Sequence, residues 1–154
     1  MVEVIWLVVA VVLAALLMGT SFSHVLEMGP KLRADGALWL SYQHTLYRCF
    51  ASVGGVIEVS AVLATVVVAW LVREEGPAFP LAMLAASMLA AAFFGVWILI
   101  TNAVNRRTAR WTETALPADW RRWRARWEYS HAARFALQFL GFVALLCALL
   151  VRDA

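Results

Sequence analysis

Four stretches of this chain, Val4–Ser23, Val53–Val72, Leu81–Thr101 and Ala132–Val151, are almost unbroken apolar sequence. Each has the length, roughly 20 residues, at which a helix crosses the hydrocarbon of a bilayer. In lipid every backbone polar group must find its partner within the segment, so runs of this kind are confined to helices. Composition agrees: 64% hydrophobic residues, 15% charged residues and a mean hydropathy of +0.77 do not suit a water-soluble globule. The expected fold is an all-α integral membrane protein. It is a four-transmembrane-helix bundle, one domain over residues 1–154, with interfacial helices on one side.

The connections differ in character. Arg73-Glu74-Glu75-Gly76-Pro77 is a tight exposed turn. The two other connections are long. Pro30 is expected to stop the first helix, and Asp35 is placed to N-cap an interfacial helix over 37–50. Pro117 suits the start of a second one over 117–130. Of the 13 Lys and Arg residues, only Arg73 and Arg152 fall on the side of the termini; the others, from Lys31, Arg33 and Arg48 to Arg134, fall on the opposite side. Positive residues stay in the cytoplasm, so the expected location is the cell membrane, multi-pass, with both termini outside. The first run lacks a basic flank and is too long for a signal peptide, which makes it a span. Cys49 and Cys147 are expected at opposite membrane faces, where no disulfide joins them.

The polar residues are not scattered. The segment DWRRWRARWEYSHAARFALQ (119–138) opens as a basic amphipathic helix with Trp120, Trp123 and Trp127 at i, i+3, i+7. Arg121, Arg122, Arg124 and Arg126 cover the rest of its circumference. The simplest use of that pattern is a membrane-interface anchor, tryptophans at headgroup level and arginines on anionic lipid. The basic patch abuts a span, so nucleic acid is not the expected partner. Glu128, His131, Arg134 and Gln138 then continue at three- and four-residue spacing as one polar stripe, which should face the bundle interior. Span one ends Thr20-x-x-x-His24-x-x-Glu27, span two carries Glu58, and span three ends with Asn102 and Asn105. All of these fall at the basic end. In antiparallel helices, His24-x-x-Glu27 and Glu128-x-x-His131 bring like residues to like depth.

Several chemistries fit that set. Glu58 and Arg134 match in depth and would neutralise one another as a structural ion pair. His24, Glu27, Glu58, Glu128 and His131 are candidate ligands for a single transition metal, and two axial histidines suit haem. Without any cofactor, His24 or His131 beside a carboxylate could take a proton from a carbon acid, with Glu58 orienting it. Asn102 and Asn105 would then donate to the developing oxyanion. Gly54-Gly55 reads as a close helix crossing, and His44 as a satisfied interfacial residue.

The motifs FSHVLEMGPKLR (22–33), Glu58, TNAVN (101–105) and ADWRRWRARWEYSHAAR (118–134) resemble a small four-span membrane family, a domain of unknown function that includes the anthrone oxygenases. The likeness is to its uncharacterised bacterial branch and covers nearly the whole chain. The positions matching the family's polar motifs are His24, Glu27, Asn102, Asn105, Trp127, Glu128 and His131. The resemblance implies a four-helix membrane protein whose characterised relatives oxidise a hydrophobic polycyclic carbon acid with dioxygen, without a conventional cofactor. The expected function is therefore a membrane-embedded oxidoreductase or oxygenase-like enzyme acting on a lipophilic small molecule. The competing reading is a non-catalytic membrane subunit, anchored by the Trp/Arg helix, with the polar stripe serving helix packing. A homo-oligomer or a membrane partner is compatible with either.

Overall fold

The computed structural model describes residues 1–152, apart from the side chains of Arg48, Cys49 and Ala51. The helices are α1 (Val2–Arg33), α2 (Gly36–Thr45), α3 (Arg48–Leu71), α4 (Ala78–Ala90), a π-helical segment (Ala91–Thr101), α5 (Asn102–Thr108) and α6 (Trp120–Val151). Four helical stretches are long and apolar enough to cross a membrane: Val2–Arg33, Ser52–Leu71, Ala78–Thr108 and Trp120–Val151. The protein is an all-α four-helix bundle of the multi-pass membrane type. Cys147 is free, while the expected separation of Cys49 from it involves a side chain outside the described residues.

Around the bundle, α1 packs on α3 and α6, and α4 packs on α3 and α6. The packing surface is small-residue rich: Ala10, Ala14, Ala61, Ala64, Ala82, Ala85, Ala144 and Ala148 are buried. Such residues let helix backbones approach closely where lipid supplies no hydrophobic drive between helices. Gly141 marks a close crossing of α6 on α4, because a Cβ there would lie 3.2 Å from Leu89 Cγ and 3.4 Å from the Ala85 carbonyl oxygen. Leu7, Leu17, Leu89 and Leu145 are buried among them, but many larger apolar side chains, including Leu16, Val56, Leu63, Val66, Trp70, Leu99 and Leu150, point outward. That is the inverse of a soluble bundle and leaves an apolar surface for lipid. At the end with the termini, Arg152 joins Glu75 and Glu3 at 2.9 Å each, tying the start of α1, the α3–α4 turn and the end of α6. Gly76 takes φ +41° in that turn, a conformation glycine adopts without a Cβ penalty.

The other end departs from the sequence reading in three ways. First, α1 does not stop at Pro30; it runs through to Arg33. Proline there sacrifices one hydrogen bond in the last turn, and the chain continues because its final carbonyls are capped from outside, as described below. At roughly 1.5 Å per residue α1 is about 48 Å long, well beyond the ~30 Å hydrocarbon. Second, the expected helix over 37–50 is α2, closed at Thr45, after which α3 starts anew at Arg48. Asp35 caps α2 as expected, accepting from the Leu38 N–H at 2.8 Å. Third, the expected interfacial helix over 117–130 and the fourth span are one unbroken helix, α6. No proline or other breaker separates Asp119 from Val151, so nothing interrupts the i→i−4 ladder.

Candidate functional site

The polar residues of α1, α3 and α6 meet at the basic end. His24 and His131 pack ring on ring, with centroids 4.0 Å apart and planes inclined at 38°. Trp127 closes over both, edge-on to His24 at 5.1 Å and 4.2 Å from His131. Tyr47, on the link between α2 and α3, packs beside Trp127 at 5.4 Å and against His24 at 4.8 Å. These are contacts of a packed aromatic cluster, in which ring faces and edges alternate.

Every carboxylate here has a cation. Glu58 accepts from Arg134 Nη2 at 2.8 Å and from Gln138 Nε2 at 3.4 Å, and both ion-pair side chains are almost fully buried. α3 and α6 lie across the bundle from each other, so a long guanidinium side chain is needed to span the gap. Glu27 pairs with Lys31 at 2.9 Å, one helical turn on, and accepts from the Tyr47 hydroxyl. Burial, then the bond to Glu27, pushes the Tyr47 phenol well above its usual range. Glu128 accepts from Trp39 Nε1 at 3.1 Å and faces Lys31 at 3.8 Å. Lys31 is the hub. It is 3% exposed, touches both carboxylates, and lies over the Tyr47 and Trp127 rings at 4.6 and 5.0 Å. Sequence reasoning counted it only as a charge beyond the expected helix stop. Once α1 continues through Pro30, Thr20, His24, Glu27 and Lys31 share one face at i, i+4, i+7, i+11, and that spacing was the available signal.

The two imidazoles have a definite polarity. His24 Nδ1 lies 3.3 Å from Lys31 Nζ, and His131 Nδ1 lies 3.4 Å from Arg134 Nη1. Ammonium and guanidinium groups only donate, so both Nδ1 atoms accept and the ring proton of each neutral histidine sits on Nε2. His131 Nε2 and Arg134 Nε are buried with no hydrogen-bond partner. In both rings the basic lone pair on Nδ1 is therefore already engaged by a cation.

A cavity of about 220 Å³ opens against this cluster, lined by His24, His131, Glu58, Arg134, Trp127, Tyr47, Trp97 and Asn105, among others. Glu58 is the one carboxylate on its wall among the described residues. Of the expected oxyanion donors, Asn105 lines the cavity and its Oδ1 accepts from Trp127 Nε1 at 2.8 Å. Asn102 does not reach it, being one residue past the phase that carries Thr101 and Asn105 inward. Glu27 and Glu128 also stand outside the wall, behind Lys31 and Tyr47. The π-helical segment forms part of the lining through Trp97 and Thr101, and Thr101 bonds Ser130 on α6 at 2.9 Å. π-helical turns are rare and are frequent at functional sites. His44 also lines the cavity, with its Nε2 3.3 Å from the Thr108 carbonyl oxygen.

These donors do not fit a metal. Among the described residues no group of three or more His, Cys, Asp or Glu side chains gathers as a ligand set. His24, Glu27, Glu58, Glu128 and His131 are each already turned to Lys31, Arg134, Trp39 or Tyr47, and two fixed cations would repel a third. Imidazole rings in mutual contact also leave no room for a porphyrin between them.

The Trp/Arg helix is likewise used differently from expected. Trp127 and Arg124 are buried, Trp120 and Trp123 half-buried, and only Arg121, Arg122 and Arg126 are exposed. Trp127 and Trp123 pack with Trp39, Leu40, Val104, Trp111 and Leu116 in a second, protein-internal core. Arg124 Nη1 reaches the Lys31 carbonyl oxygen at 3.1 Å and also bonds that of Ala34, which caps the end of α1. The stripe is inward because α2 and the 109–119 loop fold over it; periodicity alone could not say whether lipid or protein would cover that face. Arg107 and Arg126 flank the Trp123 ring at 4.4 and 5.6 Å, while Arg121 and Arg124 flank Trp120 at 4.8 and 4.6 Å.

Fold and site together define a small multi-pass helical membrane protein with an internal, polar-ended cavity. No family model, curated protein or solved structure matches the chain.

Proposed function

We propose that this protein is a membrane-embedded, oxygenase-like oxidoreductase acting on a lipophilic carbon acid, as the resemblance to the anthrone oxygenase family implies. The observation that carries the reading is the cavity: aromatic-walled, within a lipid-facing bundle, and ending on His24, His131, Glu58 and Arg134. In this reading the substrate is a ring ketone with an acidic ring CH2. Glu58, the wall carboxylate, takes the proton, and the Nε2–H of His24 holds the enolate oxygen as charge develops there. Asn105 adds an amide on the same wall. Dioxygen is the oxidant, and the balance is one CH2 and one O2 giving one new ring C=O and one water. Lys31, Glu27, Glu128 and Trp39 do not reach the cavity and act by positioning His24 and Trp127. The charge asymmetry supports a cell-membrane location with this end in the cytoplasm and both termini outside.

Oxygen uptake by the purified protein in nanodiscs, supplied with anthrone, tests this. The expected result is uptake above the spontaneous rate, one O2 per quinone formed, and loss on Glu58→Gln. Uptake no faster than with empty nanodiscs would refute it.

A further inference from the structure

The basic end carries a second hollow on its outer surface, an open groove of about 720 Å³ between the last turns of α1 and α2. Its walls are two short apolar stripes at helical spacing: Leu26, Pro30 and Ala34 on α1, and Leu38, Tyr42 and Leu46 along and just past α2. The three leucines are exposed, so no described part of this chain covers them. Tyr47 lines both this groove and the internal cavity. An occupant of the groove therefore rests on the residue that packs against His24.

The charges in the groove do not balance. Glu27 is neutralised by Lys31 at 2.9 Å and accepts from Tyr47, and Lys31 is shared with Glu128. Arg33 is exposed and makes no hydrogen bond or ion pair among the described residues. Asp35, two positions on, is turned to the Leu38 N–H instead. The Arg33 guanidinium folds back along α1 toward the bilayer, since a Cβ on Gly29 would lie 3.8 Å from its Nη1 and 3.9 Å from its Nη2. Counted from Ser23, where the first apolar run ends, Leu26 stands about 5 Å and Gly29 about 9 Å beyond the hydrocarbon, at ~1.5 Å per residue. The headgroup layer is roughly 5–8 Å thick. The inner end of the groove thus opens on lipid, and its uncompensated cation lies at the outer edge of the headgroups.

An apolar groove that continues the bilayer and ends on an unpaired guanidinium is complementary to an anionic amphiphile. A second copy of this chain is a poor match, because every Lys and Arg except Arg73 and Arg152 stands at this end and would meet its like. We propose that the groove is a site for one anionic phospholipid. An acyl chain lies against Leu26, Leu38 and Leu46, and the phosphate sits on Arg33, whose planar fork matches two phosphate oxygens.

Native mass spectrometry of the delipidated protein in detergent tests this, with phosphatidylglycerol and phosphatidylcholine of identical acyl chains as the probes. The first phosphatidylglycerol is expected to bind about fivefold more tightly than the first phosphatidylcholine, the scale of one basic side chain at an anionic membrane surface. Arg33→Gln should remove that preference. Arg122→Gln, which alters an exposed arginine near the start of α6, should leave it unchanged. Leu38→Ser/Leu46→Ser should weaken both lipids. Equal affinity for the two lipids, a preference that survives Arg33→Gln or falls as far with Arg122→Gln, or binding indifferent to the leucine pair would each overturn the proposal. Displacement of the lipid by soluble glycerol 3-phosphate would overturn it in favour of a free-phosphate site. A dimer that is lost on Leu38→Ser/Leu46→Ser would overturn it in favour of a contact between copies.

Discussion

Replacing Glu58 by glutamine separates the structural from the chemical part of the site. The carboxylate meets the Arg134 guanidinium at 2.8 Å, with side-chain exposures of 2% and 8%. Glutamine keeps one acceptor but turns an amide NH2 toward either Arg134 or Gln138, both donors. Removing one member of a buried ion pair costs about 3–5 kcal/mol, because the other charge is left uncompensated. For a chain of this length each kcal/mol shifts the melting temperature by roughly 2–4 °C, so a fall of about 6–20 °C is expected. Glu58→Gln/Arg134→Gln removes both charges and should recover most of the loss. Recovery stays incomplete by about 1 kcal/mol, since His131 Nδ1 loses its donor as well. Thermal unfolding in one detergent, followed by circular dichroism, gives all four corners of the cycle. A double variant as unstable as Glu58→Gln, or simple additivity of the two single losses, would refute the ion-pair account.

Trp39→Phe should destabilise by about 1–3 kcal/mol, because it strips the buried Glu128 carboxylate of its nearest donor; Trp70→Phe, at a lipid-facing position, is the control and should change little. Tyr47 has a phenol pKa raised by burial and by its bond to Glu27. A raised acid pKa means stability present below the unfolded value of about 10 and lost as pH rises above it. The melting-temperature gap between the unaltered protein and Tyr47→Phe should therefore hold at pH 8 and shrink toward pH 11; a gap that grows with pH would contradict this. With Cys49 and Cys147 replaced by serine, an impermeant maleimide should label Glu74→Cys in intact cells and Ala115→Cys only after permeabilisation, and the reverse pattern would invert the assigned orientation.

The architecture was legible in the sequence because lipid leaves few choices. Four apolar runs of spanning length can only be helices, and short or long connections order them. Depth was legible too. Glu58, Arg134, His24 and His131 could be matched by counting residues from one membrane face, because a helix has a fixed rise. What counting could not supply was which face each helix turns to which neighbour. The inward turn of Trp127 and Arg124, and the exclusion of Asn102 from the cavity, follow from rotation about the helix axis, and packing sets rotation. Lys31 was hidden by Pro30, since local proline chemistry predicts a stop and only the Arg124 cap, 93 residues away in sequence, offsets it. The open surroundings of one glycine pair are a tertiary fact of the same kind. Gly54-Gly55 suggested a close helix crossing, but a Cβ added to either meets nothing within 4 Å, which only the packing decides. Sequence determined what the bilayer dictates, element type, length and depth; tertiary structure decided the polarity of the histidines, because that depends on which cation stands beside each Nδ1.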